Sequence, residues 1–227
     1  MFGIGDAFNT IVVLAALGFT DYGLYNVVGG IVVMFSFLNG AMRSSTQRFL
    51  NYELGKNGIQ EAHNVFCVSM MAFVLIMLLV VVLSETVGLW FLNNKLNIPE
   101  GRCYAANWVY QFSLISFCIS IIQVPYNATI IAYEKMDFYA YISIIEVALK
   151  LLIVYLLETS GGDKLITYSF LLCLVSFFTL LMYYAYCKKS FEITKLQWVT
   201  KRSLLKKILS FSSWSIMGSV ARICSNQ

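Results

Sequence analysis

Three apolar stretches of the sequence carry polar and charged side chains at helical spacing. Neighbouring polar residues are three or four positions apart, which places each set on one face of an α-helix. The three sets are Ser36, Asn39, Arg43 and Gln47; Ser113, Ser116, Ser120, Gln123 and Asn127; and Tyr139, Ser143, Glu146 and Lys150. Each helix is therefore predicted to combine one polar stripe with an otherwise apolar surface.

The full charges in these stripes indicate chemistry more strongly than the neutral residues do. An ionisable group at the centre of a bilayer costs about 2.5–3.5 kcal/mol, so such groups usually face a bundle interior or a water-filled cavity. Arg43, Glu146 and Lys150 fit a cavity of this kind. The serines and asparagines are equally explained by hydrogen bonds between packed helices, each worth about 0.6–2 kcal/mol.

Glu146 and Lys150 are two opposite charges within one stripe. The acid precedes the base by four residues, which is the order that favours an ion pair on a helix. Two interpretations stand side by side: a self-neutralised buried pair, and a switchable pair in which an anionic substrate or a proton competes for one partner. Arg48, near the end of its stretch, either snorkels to the membrane surface or contributes to substrate binding.

Pro125 interrupts another stripe between Gln123 and Asn127. Proline removes a backbone hydrogen bond and kinks a helix, and transporters use such breaks to expose backbone groups at a cavity. The sequence is equally compatible with a kink that only shapes packing.

Sequence motifs of enzyme chemistry are absent. The chain has no P-loop, no GxSxG and no HExxH. Its aspartates are expected to stand singly at membrane edges or in loops; they are Asp6, Asp21, Asp137 and Asp163. Asp137 is the predicted N-cap of its helix, and Glu134 and His63 are expected to be solvated loop residues. We therefore expect a protein that is not an enzyme and that needs no metal or cofactor.

Long apolar stretches must position these residues. Of 227 residues, 59% are hydrophobic and 12% are charged, which excludes an ordinary soluble domain. A membrane-spanning helix needs about 20 mostly apolar residues. Six stretches are predicted spans, and a seventh begins near residue 208; the six are 4–17 (short), 24–50, 65–92, 105–133, 138–157 and 165–187. The predicted fold is all-α, a polytopic membrane bundle of six transmembrane helices plus the start of a seventh.

The distribution of lysine and arginine predicts the orientation of the helices. Cytoplasmic loops carry an excess of these residues. A basic cluster follows the sixth stretch, namely Lys188, Lys189, Lys195, Lys201, Arg202, Lys206 and Lys207. Alternation along the chain then puts the N-terminus, Lys56 and Lys135 inside, and Lys95, Arg102 and Lys164 outside. The net charge of +4 is a topology signal and implies no nucleic-acid partner.

Three segments follow from this topology. Residues 1–187 are the predicted six-helix transmembrane bundle, and 208–227 are the start of the seventh helix. Residues 188–207 between them are a basic amphipathic cytoplasmic linker. Such a linker lies in the inner-leaflet interface and is attracted to anionic lipid head groups.

Four runs of the chain resemble a known transporter family. They are LGFTDYGLYNVVGG at 17–30, FSFLNGAM at 35–42, TQRFL at 46–50 and AYEKM at 132–136. On these runs the chain resembles the polysaccharide biosynthesis family of O-antigen translocases (Wzx-type), which are lipid-linked oligosaccharide flippases. That family belongs to the MATE-like superfamily of multidrug, oligosaccharidyl-lipid and polysaccharide exporters.

The resemblance implies a two-lobed transporter of which this chain is the N-terminal lobe. Family members move undecaprenyl-pyrophosphate-linked oligosaccharide from the inner to the outer leaflet of the bacterial inner membrane, for O-antigen or capsule synthesis. The short first stretch, and the seventh stretch that stops at Gln227, fit a fragment, and a single lobe is expected to be inactive. Implied partners are the lipid-linked oligosaccharide, membrane lipids, a polysaccharide polymerase and glycosyltransferases.

The resemblance also implies roles for the polar residues. Arg43, Arg48 and Lys150 would offer positive charge to the pyrophosphate, while Glu146 holds Lys150 until substrate arrives. The residues that would contact sugar hydroxyls are Asn39, Gln47, Gln123 and Asn127. Two other functions stay open: a cation-coupled multidrug or metabolite exporter with Glu146 as the ion site, and a membrane-embedded glycosyl or acyl transferase using His63.

Overall fold

All secondary structure in the described part of the chain is helical. A computed structural model describes residues 13–14, 17–33, 35–56, 58–96, 98, 101–159 and 163–194, and they contain no β-strand. Their α-helices are α1 Phe19–Val33, α2 Ser36–Lys56, α3 Ile59–Leu83, α4 Leu89–Asn94, α5 Cys103–Ala132, α6 Met136–Thr159 and α7 Lys164–Ser190. A π-helix, Ser84–Gly88, joins α3 to α4, and a 3₁₀ helix, Glu192–Thr194, follows α7. The predicted all-α class is confirmed.

Four helical stretches are long and apolar enough to cross a membrane. They are Ile59–Leu92, Cys103–Ala132, Met136–Leu157 and Lys164–Ser190, close to the predicted 65–92, 105–133, 138–157 and 165–187. Large apolar side chains are exposed on them, among them Val82 and Ile144 at 61% and 66%. Exposed apolar surface of this kind is stable against lipid and costly in water. The chain is therefore a membrane protein by length and composition of its helices.

The predicted second span, 24–50, is wrong as a single helix. α1 ends at Val33, Phe35 lies in a turn, and α2 begins at Ser36. α1 has 15 residues, and α2 carries two arginines and a lysine, so neither is among the four apolar stretches. The polar stripe of α2 is the physical reason why this helix is less apolar than the predicted span.

Two other predicted spans fall largely outside the described residues. Of the stretch 4–17, only 13–14 and 17 are described, and 208–227 lies wholly outside, as does most of the linker 188–207. Lys188 and Lys189 belong to the last turn of α7, which continues to Ser190.

The helix ends follow from local backbone chemistry. Gly58 has a φ of +83°, a left-handed conformation that glycine adopts without steric cost, and its N–H donates to the Glu53 carbonyl to close α2. At the start of α7, Asp163 Oδ1 accepts from the Leu165 N–H at 3.1 Å. Asp137 lies inside the first turn of α6, because that helix begins at Met136, so its predicted N-cap position is wrong.

The chain forms two compact units. The first comprises Met1–Met34, Val80–Ile119 and Tyr141–Thr179. Its described core is apolar, with Val28, Val109, Leu157 and Leu165 fully buried. Burial of such side chains is the main source of cohesion within a unit, at about 25 cal/mol per Å² of apolar surface removed from water.

The first unit contains the π-helix. The Ser84 carbonyl accepts a backbone hydrogen bond from the Leu89 N–H, and Tyr110 Oη donates a second hydrogen bond to it at 2.7 Å. A Cβ added at Gly88 would collide with the Tyr110 hydroxyl. Glycine at position 88 therefore makes room for this hydrogen bond.

The second unit comprises Phe35–Leu79, Ser120–Ala140 and Leu180–Gln227. Within its described part, Met42, Phe66 and Ile193 are fully buried. Phe191 stacks on Tyr133 with ring centroids 4.4 Å apart. Burial, and secondarily the charge of Glu192, raises the pKa of the Tyr133 phenol. The 3₁₀ helix is thus packed against the end of α5.

Candidate functional site

The polar stripe of α2 lies within the second unit. Asn39, Arg43 and Gln47 are half-buried, whereas Arg48 is exposed. Asn39 Nδ2 donates to Ser120 Oγ on α5 at 2.9 Å. The stripe of α2 therefore faces the stripe of α5, as an interhelical hydrogen bond at this position requires.

α2 and α5 run parallel along this contact. Asn39 meets Ser120 near the start of α2, and eight to twelve residues later Gln47 and Asn51 share a pocket with Ile131 and Ala132. Both helices rise about 1.5 Å per residue. Arg43 and Thr46 consequently lie at the height of Gln123 and Asn127.

These residues form what we call the polar seam: Asn39, Arg43, Thr46, Gln47, Gln123 and Asn127. Asn127 and Thr46 are 5% and 0% exposed. Among the described residues, four buried polar atoms of the seam have no hydrogen-bond partner, namely Asn39 Oδ1, Arg43 Nε, Thr46 Oγ1 and Asn127 Oδ1. Buried polar atoms are nearly always paired, so the seam is suited to take up a hydrogen-bonding ligand.

The seam offers both kinds of hydrogen-bonding group. The amide and hydroxyl oxygens accept from hydroxyl groups, and the Arg43 guanidinium donates and carries a permanent positive charge. Arg48, five residues further along α2, carries a second positive charge and is exposed. Such a combination of groups has the chemistry to bind a ligand that bears hydroxyls and an anionic group.

Pro125 lies within α5 beside the seam. Without an N–H, Pro125 leaves one turn of α5 short of a backbone hydrogen bond. Thr129 Oγ1 donates to the Pro125 carbonyl at 2.9 Å, which anchors the turn that follows. Pro125 thus weakens α5 locally, and the hydrogen bond from Thr129 partly offsets this weakening.

Glu146 and Lys150 belong to the first unit, so the structure gathers only six of the eight predicted site residues in the second unit. Their predicted ion pair is present, with Lys150 Nζ 2.7 Å from Glu146 Oε1. The two side chains are 37% and 36% exposed although they lie in the middle of an apolar helix. Charges at that position require a hydrophilic surrounding on their open side.

An ion-pair network that the sequence did not reveal connects three helix starts. Arg102 reaches Asp21 in the first turn of α1 and Asp163 before α7, both at 2.9 Å. The expectation that Asp21 and Asp163 stand singly is therefore wrong. Nothing local in the sequence indicates Arg102 as the partner of both acids.

His63 is buried, which corrects its interpretation as a solvated loop residue. Its Nδ1 lies 2.9 Å from the Ile193 carbonyl, and its Nε2 lies 3.7 Å from Cys67 Sγ. Because a carbonyl only accepts hydrogen bonds, Nδ1 is the donor of this pair. His63 thereby ties α3 to the 3₁₀ helix.

Within the described ranges, no three His, Cys, Asp or Glu side chains lie close enough to hold a metal ion. The chain has no significant match among protein-family models, curated proteins or solved structures.

Proposed function

We propose that the protein is part of a membrane flippase that moves undecaprenyl-pyrophosphate-linked oligosaccharide across the bacterial inner membrane, with its N-terminus in the cytoplasm. The observation that carries the proposal is the polar seam, in which a half-buried arginine lies among amide and hydroxyl groups, and the buried oxygens of Asn39, Thr46 and Asn127 have no hydrogen-bond partner. Sugar hydroxyls suit the amides, and a pyrophosphate suits Arg43. Arg48 extends the positive charge toward the exposed side.

The Glu146–Lys150 pair supports the same proposal from the first unit. A mid-helix ion pair that is about one-third exposed is expected to border a hydrophilic cavity. An incoming anion competes with Glu146 for Lys150, as the switchable interpretation of this pair requires.

The alternatives receive less support from the site. A cation-coupled exporter with Glu146 as the ion site needs that carboxylate to be free, whereas Glu146 pairs with Lys150. A membrane-embedded transferase would need an accessible base, whereas the His63 ring is buried and contacts Ile193 and Cys67.

Deletion of the gene in its host tests the proposal. We expect the deletion to deplete surface polysaccharide and to accumulate lipid-linked oligosaccharide in the inner leaflet. The wild-type gene should restore export, and Arg43→Gln and Lys150→Gln should reduce it about ten-fold or more, since each removes a charge-assisted contact. Lys189→Gln, at an exposed position in the last turn of α7, is the matched control and should export normally.

Two results would refute the flippase proposal. One is unchanged surface polysaccharide in the deletion strain, and drug sensitivity in that same strain would favour the exporter. The other is full export by both Arg43→Gln and Lys150→Gln, which would remove the cationic site.

A further inference from the structure

A pocket of about 460 Å³ opens in the second unit where α2 and α5 approach their ends. Its volume is in the range of small-molecule sites, roughly 300–1,000 Å³. Gln47 and Asn51 line it from α2, Glu134 lines it from the turn after α5, and Met136 lines it from the start of α6. Gln47 also belongs to the polar seam, but the other residues of this pocket have no role in the flippase proposal.

The electrostatics of the pocket favour a cation. Glu134 is the sole ionisable residue among the described residues that line it. The last turns of α2 and α5 also meet there, and the C-terminal end of a helix carries partial negative charge. The nearest lysine at the end of α2, Lys56, is engaged with Tyr52, whose hydroxyl lies 2.9 Å from its Nζ.

Glu134 occupies a backbone conformation that normally belongs to glycine. Its N–H donates to the Ile131 carbonyl and the Lys135 N–H donates to the Ile130 carbonyl, the hydrogen bonds of a Schellman motif at the end of α5. Glu134 has a φ of +58°, where a side chain is strained. Strained backbone positions cluster at functional sites, which agrees with a role for this side chain in the pocket.

The remaining lining defines the size and shape of the ligand. Leu54, Ile131 and Met136 form an apolar wall, and the Gln47 and Asn51 amides offer oxygen acceptors beside the Glu134 carboxylate. A primary ammonium group has three N–H donors and matches three acceptors, whereas a quaternary ammonium has none. α5 is one of the stretches that are long and apolar enough to span a membrane, and the end of such a span is expected at the level of lipid head groups.

We propose that this pocket binds a primary ammonium group, with Glu134 as the counter-ion and the amides of Gln47 and Asn51 as further acceptors. The ammonium comes either from the head group of an aminophospholipid or from a soluble amine. The site is separate in chemistry from a pyrophosphate site, and it does not depend on the flippase proposal.

Lipid titration of the purified full chain in detergent tests this site. We expect phosphatidylethanolamine to bind about ten-fold tighter than phosphatidylcholine, since N-methylation removes every N–H donor. Glu134→Gln should abolish the difference, whereas Glu192→Gln, an exposed acid outside the pocket, should keep it. Native mass spectrometry resolves the bound lipids. An unchanged preference in Glu134→Gln would overturn the proposal. Equal binding of the two lipids by the wild type would also overturn it, unless ethanolamine binds as described next.

Soluble ethanolamine distinguishes the two sources of the ammonium group. Glu134-dependent binding of ethanolamine without any preference between the lipids assigns the site to a soluble amine, and a lipid preference without ethanolamine binding assigns it to the head group. Glu134→Gly separates folding from binding, because glycine relaxes the backbone: this variant should melt at a higher temperature and should bind neither ligand. Retained binding in Glu134→Gly would overturn the role of the carboxylate.

Discussion

At the scale of single residues, the contact between Gly88 and Tyr110 shows how little room the first unit leaves. Tyr110 is fully buried, and its hydroxyl lies where a Cβ of residue 88 would be. Gly88→Ala is therefore expected to lower the free energy of unfolding by about 1–3 kcal/mol, measured by thermal unfolding in detergent. Gly30→Ala is the control, since nothing lies within 4 Å of its added Cβ.

A double mutant isolates the cause of this effect. Tyr110→Phe removes the hydroxyl, while the Ser84 carbonyl keeps its hydrogen bond from the Leu89 N–H, so this change costs about 0.5–1.5 kcal/mol on its own. In that background, Gly88→Ala should cost much less than in the wild type, because the obstructing oxygen is gone. Additive effects would show that glycine at 88 serves some purpose other than the hydroxyl.

At the scale of elements, Arg102 holds the starts of α1, α5 and α7 together. Asp21 is 8% exposed, so removal of its cation leaves a buried charge, whereas Asp163 is more exposed. Arg102→Gln should lower the free energy of unfolding by about 1–2 kcal/mol. Asp163→Asn should cost less than about 1 kcal/mol, because its pair is solvent-screened and asparagine still caps α7.

Chemical unfolding of both variants in detergent measures this difference, with the exposed Lys135→Gln as a control away from the network. An equal cost for Asp163→Asn and Arg102→Gln would show that the network depends on the α7 contact instead of on Asp21.

The elements also show which contacts the sequence could predict. Glu146 and Lys150 are four residues apart, so helical periodicity predicted their ion pair correctly. Asp21 and Arg102 are separated by 81 residues, and His63 and Ile193 by 130. Periodicity describes one helix at a time and contains no information on which helix starts lie side by side. Periodicity therefore predicted Asn39, Arg43, Gln47, Gln123 and Asn127 of the polar seam one helix at a time, but neither Thr46 nor the contact between α2 and α5.

At the scale of the whole molecule, composition predicted a membrane bundle because apolar length is set by the bilayer and not by tertiary contacts. The four stretches of suitable length match their predicted positions within a few residues, apart from an earlier start of α3 at Ile59. The break between α1 and α2 was missed because hydropathy averages over a window. A turn at Phe35 inside a mixed polar and apolar stretch leaves no mark on such an average.

The orientation of the bundle is open to direct measurement. Among the described cysteines Cys103 is exposed, at the start of α5, on the side that the lysine and arginine distribution places outside the cell. A membrane-impermeant maleimide should label Cys103 in intact cells. In a Cys103→Ser background, Lys135→Cys should react only after permeabilisation. The reverse pattern would invert the predicted topology.

The π-helix between α3 and α4 also sets a rule for length variation. A π-turn accommodates one residue more than the α-helical turn it replaces, so deletion of one residue from Ser84–Gly88 would restore regular α-helical hydrogen bonding. Because the wider turn absorbs the extra residue, the side chains before and after the deletion would keep about the same relative direction. Trp90 and its neighbours would then still face the direction that the preceding helix dictates. In this segment the count of residues can change by one, whereas the identity of Gly88 is constrained by the Tyr110 hydroxyl.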